Sequence, residues 1–146
     1  LNKPGGKLLS NILNGNFKGN VAVVNPKESE VQHIKSYKSV EEIEETDLAV
    51  LAIPSQFCLA TIKTLAHTKN TKAFIIISAG FSEVTEMGAE LEQEIVKVIE
   101  EVGGCLIGPN CIGVLNANYQ GVFTTPIPKL DPKGCDLISS SGAINL

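Results

Sequence analysis

The stretch Leu48-Ala49-Val50-Leu51-Ala52-Ile53-Pro54-Ser55 decides the fold. A continuous apolar run suits a strand buried on both faces of a parallel sheet. Pro54 ends it, because proline has no N–H to give a neighbouring strand. Ser55 is placed to cap a helix in which Leu59, Ile62 and Leu65 share one face. The same unit then repeats. Ala73-Phe74-Ile75-Ile76-Ile77 reads as the next strand, closed by Ser78-Ala79-Gly80. A helix from about Glu86 to Glu101 sets Leu91, Ile95, Val98, Ile99 and Val102 against a glutamate-rich outer face, and Gly103-Gly104 stops it. Cys105-Leu106-Ile107 is a further short strand, followed by Gly108-Pro109-Asn110-Cys111. Strands alternating with helices specify a parallel sheet with helices on its faces, joined by right-handed crossovers. The fold class is therefore α/β, a doubly wound parallel sheet.

Towards the N-terminus, Lys3-Pro4-Gly5-Gly6-Lys7 is a turn with a helix behind it, in which Leu8, Leu9, Ile12 and Leu13 recur at helical spacing until Gly15. Val21-Ala22-Val23-Val24 is a short buried strand closed by Asn25-Pro26. Residues 34–38 are a short edge strand, and Ser39 with Glu42 has the capping-box spacing of a brief helix reaching Glu45. Towards the C-terminus, residues 117–134 hold Pro126, Pro128 and Pro132 among polar residues and read as a linker. Cys135-Asp136-Leu137-Ile138 reads as the first strand of a further unit, with Ser139-Ser140-Ser141-Gly142 as its first turn. Leu1 at the start, with the sole methionine at Met87, and the abrupt end lead us to expect a fragment of a longer polypeptide.

Composition limits the function classes. Among 146 residues, 43% are hydrophobic and 5% aromatic, so an aliphatic core is expected. A net charge of -4 argues against a general nucleic-acid binder, which carries a basic excess. It leaves room for an anionic ligand held by backbone N–H groups. Cys58, Cys105, Cys111 and Cys135 have no metal-ligand spacing and read as reduced thiols of a cytoplasmic protein, with no metal site. No apolar run reaches the roughly 18 residues of a membrane span, so no membrane partner is expected.

Open parallel sheets bind ligands beyond the carboxyl ends of their strands. Those ends are Asn25-Pro26-Lys27, Ile53-Pro54-Ser55, Ser78-Ala79-Gly80-Phe81 and Gly108-Pro109-Asn110-Cys111. Lys27 is the cation among them and suits a phosphate. Gly5 and Lys7 precede a helix N-terminus, where an anion is favoured. No G-x-G-x-x-G fingerprint occurs, and Asn25-Pro26-Lys27 stands where a ribose-binding Asp or Glu usually ends a strand, so an NAD(P) site is the weaker reading. His33 and His67 follow no strand and have no evident carboxylate partner. Cys111 has no base beside it, so no catalytic residue is assigned.

Taken together, Gly19-Asn20-Val21-Ala22-Val23-Val24-Asn25-Pro26-Lys27, Ser36-Tyr37-Lys38-Ser39-Val40, Ala52-Ile53-Pro54-Ser55, Ile76-Ile77-Ser78-Ala79-Gly80-Phe81-Ser82-Glu83 and Gly108-Pro109-Asn110-Cys111-Ile112-Gly113 resemble the CoA-binding domain of the NDP-forming acyl-CoA synthetases. These include the ADP-forming acetate–CoA ligases and, more distantly, the succinyl-CoA synthetase α subunit. The resemblance implies a Rossmann-like CoA-binding domain over residues 1–116, the linker over 117–134 and the start of a flavodoxin-like domain over 135–146. It implies coenzyme A as ligand, with Lys27 facing its phosphates, with Ile53, Pro54 and Ser55 along the nucleotide or pantetheine, and with Ser78, Ala79, Gly80, Phe81 and Asn110 along the path to the thiol. Ser139, Ser141 and Gly142 resemble a phosphate-binding turn of the second domain. ATP, ADP and Mg²⁺ would belong to the full enzyme, together with a phosphorylated histidine that neither His33 nor His67 matches. The partners implied are the remaining domains or an ATP-grasp subunit, with oligomerisation open. The family opens with a strand that precedes the first turn, and this chain opens at the turn. A second reading is the acyl-CoA-sensing part of a protein lysine acetyltransferase.

Overall fold

The computed structural model describes residues 3–128, 130 and 133. In chain order the elements are α1 (Pro4–Asn14), β1 (Val23–Val24), β2 (Glu30–Val31), β3 (Ile34–Tyr37), a 3₁₀ turn (Val40–Glu42), β4 (Leu48–Leu51), α2 (Ser55–Thr68), β5 (Ala73–Ile76), α3 (Glu86–Glu101), β6 (Cys105–Ile107), β7 (Gly113–Leu115) and β8 (Gln120–Val122). The chain divides into two compact units, residues 19–110 and residues 1–18 with 111–146.

In the larger unit the repeated strand–helix pattern forms a parallel sheet in the order β4-β5-β6. Leu48 pairs with Ala73 and Leu51 with Ile76, while Ala73 also pairs with Cys105 and Ile75 with Ile107. Side chains alternate along a strand, so Ala49, Leu51, Phe74 and Ile76 share one face. That face packs against Cys58, Ile62 and Leu65 of α2 and Ile95, Val98 and Ile99 of α3. Fully burying one such aliphatic side chain contributes about 1.5–3 kcal/mol. Leu59, Leu91 and Val102 join this core as partly buried residues, as their spacing predicts.

Several elements depart from expectation in informative ways. β4 stops at Leu51, not Ile53: Ile77 N–H donates to the Leu51 carbonyl at 2.9 Å, and the Ile53 carbonyl turns to a side chain instead of a ladder. Pro54 takes the N-cap position with φ -54° and ψ 140°, so Ser55 is the first helical residue and not the cap. The brief helix expected to reach Glu45 is only a 3₁₀ turn. The Lys69 ammonium accounts for this, because it donates to the carbonyls of Glu41 at 2.8 Å and Ile43 at 2.6 Å, which a continuing helix would need. Glu42 accepts from Lys38 N–H at 3.1 Å, one residue before the expected cap.

The segment expected as an edge strand is the middle one of three. β3 runs parallel to β1, with Val23 opposite Ser36 and Val24 opposite Tyr37, and antiparallel to β2. The β2–β3 hairpin turns through Gln32 and His33, both at positive φ. Among the described residues, β1 pairs with β3 alone and β4 with β5 alone.

In the smaller unit, α1 begins at Pro4, so Gly5 and Lys7 lie inside its first turn and not before it. Proline suits that place because its missing N–H would be unpaired anyway. Leu8, Leu9 and Ile12 are buried, whereas Leu13 is exposed. Part of the segment read as a linker is structured: β8 pairs antiparallel with β7. Buried Asn11 donates from Nδ2 to the carbonyls of Val122 at 2.7 Å and Thr124 at 3.1 Å, fixing α1 to that hairpin.

The start of α3 gives a direct test of packing. Thr85 caps it, accepting from Gly88 N–H at 3.0 Å, and Gly88 is buried where a Cβ would overlap the Phe81 carbonyl. Gly88→Ala should therefore lower the thermal midpoint, although alanine is the better helix former by about 1 kcal/mol. A midpoint at or above that of the parent chain would show that the Phe81 turn moves aside freely.

Candidate functional site

A parallel sheet delivers all its strand carboxyl ends to one edge, and the local chemistry of those ends makes the site. After β5, Ser78 Oγ donates to the Ile53 carbonyl at 2.5 Å, and the Ser78 carbonyl accepts from Asn110 N–H at 3.0 Å. One residue thus ties together the turns that follow β4, β5 and β6. Gly80 has φ +104°, a backbone state that favours glycine, and a Cβ there would lie 2.8 Å from Ser55 Oγ. The β5 turn is therefore closed against the first residue of α2. Phe81 is fully buried and anchors the far side of the turn. Ala79 and Pro54 are exposed, and Ser78, Gly80, Ile53 and Ser55 are half-buried, so the edge presents small groups and backbone to solvent.

Glu83 completes this turn. Its two carboxylate oxygens accept from Gly80 N–H at 2.6 Å and Phe81 N–H at 3.1 Å. The Gly80 N–H is the main cause that holds the Glu83 carboxyl below its ordinary range. No role for Glu83 was assigned from sequence. An acid three residues beyond a turn glycine was the available signal.

At the end of β1, Asn25 N–H donates to the Tyr37 carbonyl at 2.9 Å, and Asn25 Oδ1 accepts from Lys27 N–H at 3.0 Å. This asparagine turn leaves Pro26 and Lys27 exposed. Because β1 and β3 are parallel neighbours, Lys38 leaves β3 at the same end, and its ammonium lies 3.5 Å from the Pro26 carbonyl. A second cation thus joins Lys27 at this corner, brought there by a strand pairing that residue type alone does not reveal.

Gly5 and Lys7 belong to the smaller unit. Ser139, Ser141 and Gly142 lie outside the described residues. His33 does have a carboxylate nearby, contrary to expectation: its Nδ1 is 3.6 Å from Glu30. Both groups are largely exposed, and such a pair contributes little. His67 is exposed in the last turn of α2. Burial pushes the Cys111 thiol up, which disfavours the thiolate a nucleophile needs. Two surface grooves, of about 370 and 310 Å³, run along α3 and between α3 and β6; Ile53, Ser78 and Asn110 line neither, and Gly108 of the turn after β6 borders the second.

A family model described as a CoA binding domain matches residues 2–117. The chain belongs to the CoA binding domain family. Relatives of this CoA binding domain include the α subunit of acetate–CoA ligase [ADP-forming] II from Pyrococcus furiosus, 41% identical over 86% of this chain and 27% of the relative. The 4-hydroxybutyrate–CoA ligase [ADP-forming] of Nitrosopumilus maritimus is 37% identical over 96% of this chain and 20% of its own length. The chain thus spans about a quarter or less of these relatives. Among solved structures, one from Pyrococcus horikoshii OT3 superposes with a TM-score of 0.77 and 38% identity, covering 85% of this chain and 29% of that one. An acetyl-coenzyme A synthetase 1 of Ca. Korarchaeum cryptofilum, in complex with phosphate and ADP, gives 0.75 and 33%, covering 84% and 26%. These likenesses bear out the Rossmann-like α/β class and the family that the motifs indicated. Among the described residues no helix is long and apolar enough to cross a membrane.

Thiol chemistry separates the described cysteines. Cys58 is fully buried beside the site, within 3.9 Å of the Ile53 carbonyl and 3.8 Å of the Pro54 carbonyl, and burial pushes its pKa up to about 11. Cys105 is exposed on β6. Iodoacetamide at pH 8, followed by peptide mass spectrometry, should label Cys105 first among the described cysteines and leave Cys58 unmodified until the chain is unfolded. Early labelling of Cys58 would mean that α2 opens readily at its N-terminal turn.

Proposed function

We propose that this chain binds coenzyme A along the carboxyl ends of β1, β4, β5 and β6, as the CoA-binding part of an ADP-forming acyl-CoA synthetase. The observation that carries this reading is the tied edge Ile53–Ser78–Asn110, closed by Gly80 on Ser55. Its small, backbone-rich surface fits a thin, extended pantetheine arm. Ser78 through Phe81, with Asn110, would line the path of that arm towards the thiol. Ile53, Pro54 and Ser55 would lie along the nucleotide or pantetheine. Lys27, in the turn with Asn25 and Pro26, would meet the phosphates as a point charge, with Lys38 beside it.

The full reaction in this proposal converts an acid, ATP and CoA to acyl-CoA, ADP and phosphate. No residue here is given a covalent step. The histidine, the ADP/ATP site and its Mg²⁺ are assigned to other domains or to an ATP-grasp subunit. The chain's own residues would hold CoA and orient its thiol. The ligase relatives support this setting over an acetyltransferase sensor, and the missing glycine fingerprint weighs against NAD(P). Free thiols at Cys58, Cys105 and Cys111 accord with a cytoplasmic setting.

Calorimetry with this chain should give binding of CoA and none of comparable strength for NAD. Tighter binding of NAD would overturn the assignment. Lys27→Ala should weaken CoA more than pantetheine, which lacks the nucleotide phosphates, and should flatten the salt dependence of CoA binding. Equal losses for both ligands would remove Lys27 from the phosphate site.

A further inference from the structure

Glu83 stands outside the strand-end set, yet its carboxylate holds the turn that closes the set. Two consecutive peptide N–H groups, those of Gly80 and Phe81, converge on its two oxygens. Successive N–H groups that point the same way form a concave anion seat, and here the chain fills that seat itself. The clasp has fixed posts on both sides. Upstream, Ser78 is bound through its hydroxyl to Ile53 and through its carbonyl to Asn110. Downstream, Phe81 is buried, and its carbonyl accepts from Val84 N–H at 3.0 Å as the chain approaches the Thr85 cap. Between these posts Gly80 holds φ +104°, and a Cβ there would lie 2.8 Å from Ser55 Oγ.

We propose that Glu83 is a positioning residue for the thiol-bearing arm of CoA, fixing the backbone of residues 78–81 in the conformation that receives it. This rests on the CoA reading above. Glu83 is exposed, so water screens its contribution to global stability, and the main cost of losing it falls on local order. Without the carboxylate, Gly80 and Phe81 N–H can turn to water, and glycine at position 80 then samples many backbone states. A ligand must reorder that turn before binding, which weakens affinity without unfolding the domain. The adenylate end of CoA, which the Lys27 corner would hold, depends on a different turn.

The test uses this chain and its Glu83→Gln variant, with CoA, adenosine 3′,5′-bisphosphate and NAD as titrants. Glutamine keeps the size but offers one acceptor oxygen in place of two. The expected result is a loss of about tenfold in CoA affinity, with adenosine 3′,5′-bisphosphate affinity and the thermal midpoint nearly unchanged. Glu83→Asp, one methylene shorter, should fall between the two. Unchanged CoA affinity would overturn the inference. So would equal weakening of both nucleotides, or a large fall in thermal midpoint, since each describes a merely structural acid. A parent chain that binds neither CoA nor the bisphosphate, or that prefers NAD, would bring down the CoA reading itself, and the positioning role with it.

Discussion

Backbone polar groups that leave a sheet must find new partners, and the structure of the candidate site follows from how three strands meet that demand. Beyond its last ladder rung, β4 has a free carbonyl at Ile53, and β5 has one at Ser78. The Ser78 hydroxyl satisfies the first, and Asn110 N–H satisfies the second. A carbonyl left unpaired and shut off from water would cost on the order of 1–3 kcal/mol, and these bonds remove that cost wherever a ligand or side chain covers the edge. They fix the turns through which the chain leaves β4 and β5, ahead of the Pro54 and Thr85 caps of α2 and α3.

The same constraint explains which features were legible in the sequence. Continuous apolar runs at Leu48–Leu51, Ala73–Ile76 and Cys105–Ile107 fixed strands in the right order, and the helical spacing of Ile95, Val98 and Ile99 gave the core face of α3. Boundaries were less legible where a long-range partner intervened. Nothing near Ser39 announces that Lys69 will take the carbonyls that a longer helix needs. Likewise, the polar segment after Asn116 hides a strand. Asn116 itself makes the hairpin turn, its side chain accepting from Asn118 and Tyr119 N–H at 2.8 and 2.9 Å.

The candidate site was legible as a set of strand ends and less so as a set of contacts. Turn-forming residues after each strand marked the edge. The bridging role of Ser78 and the two-oxygen grip of Glu83 depend on which groups face each other across the sheet, and residue type alone does not carry that. Lys38 was overlooked because it follows a strand whose parallel pairing to β1 is a tertiary fact. The histidine hairpin shows the same omission at short range: Glu30 and His33 lie near each other across a turn in which Gln32 and His33 both adopt positive φ.

The Ile53–Ser78–Asn110 frame is made mostly of main-chain atoms, with one hydroxyl as the exception. Side chains that project from it, such as those of Pro54 and Ala79, take no part in these bonds. The outward chemistry of this edge can therefore drift during evolution while its scaffold stays put. A lineage could retune what slides past the β5 turn by exchanging a methyl for something larger at position 79, and the folding of the sheet beneath would scarcely register the change.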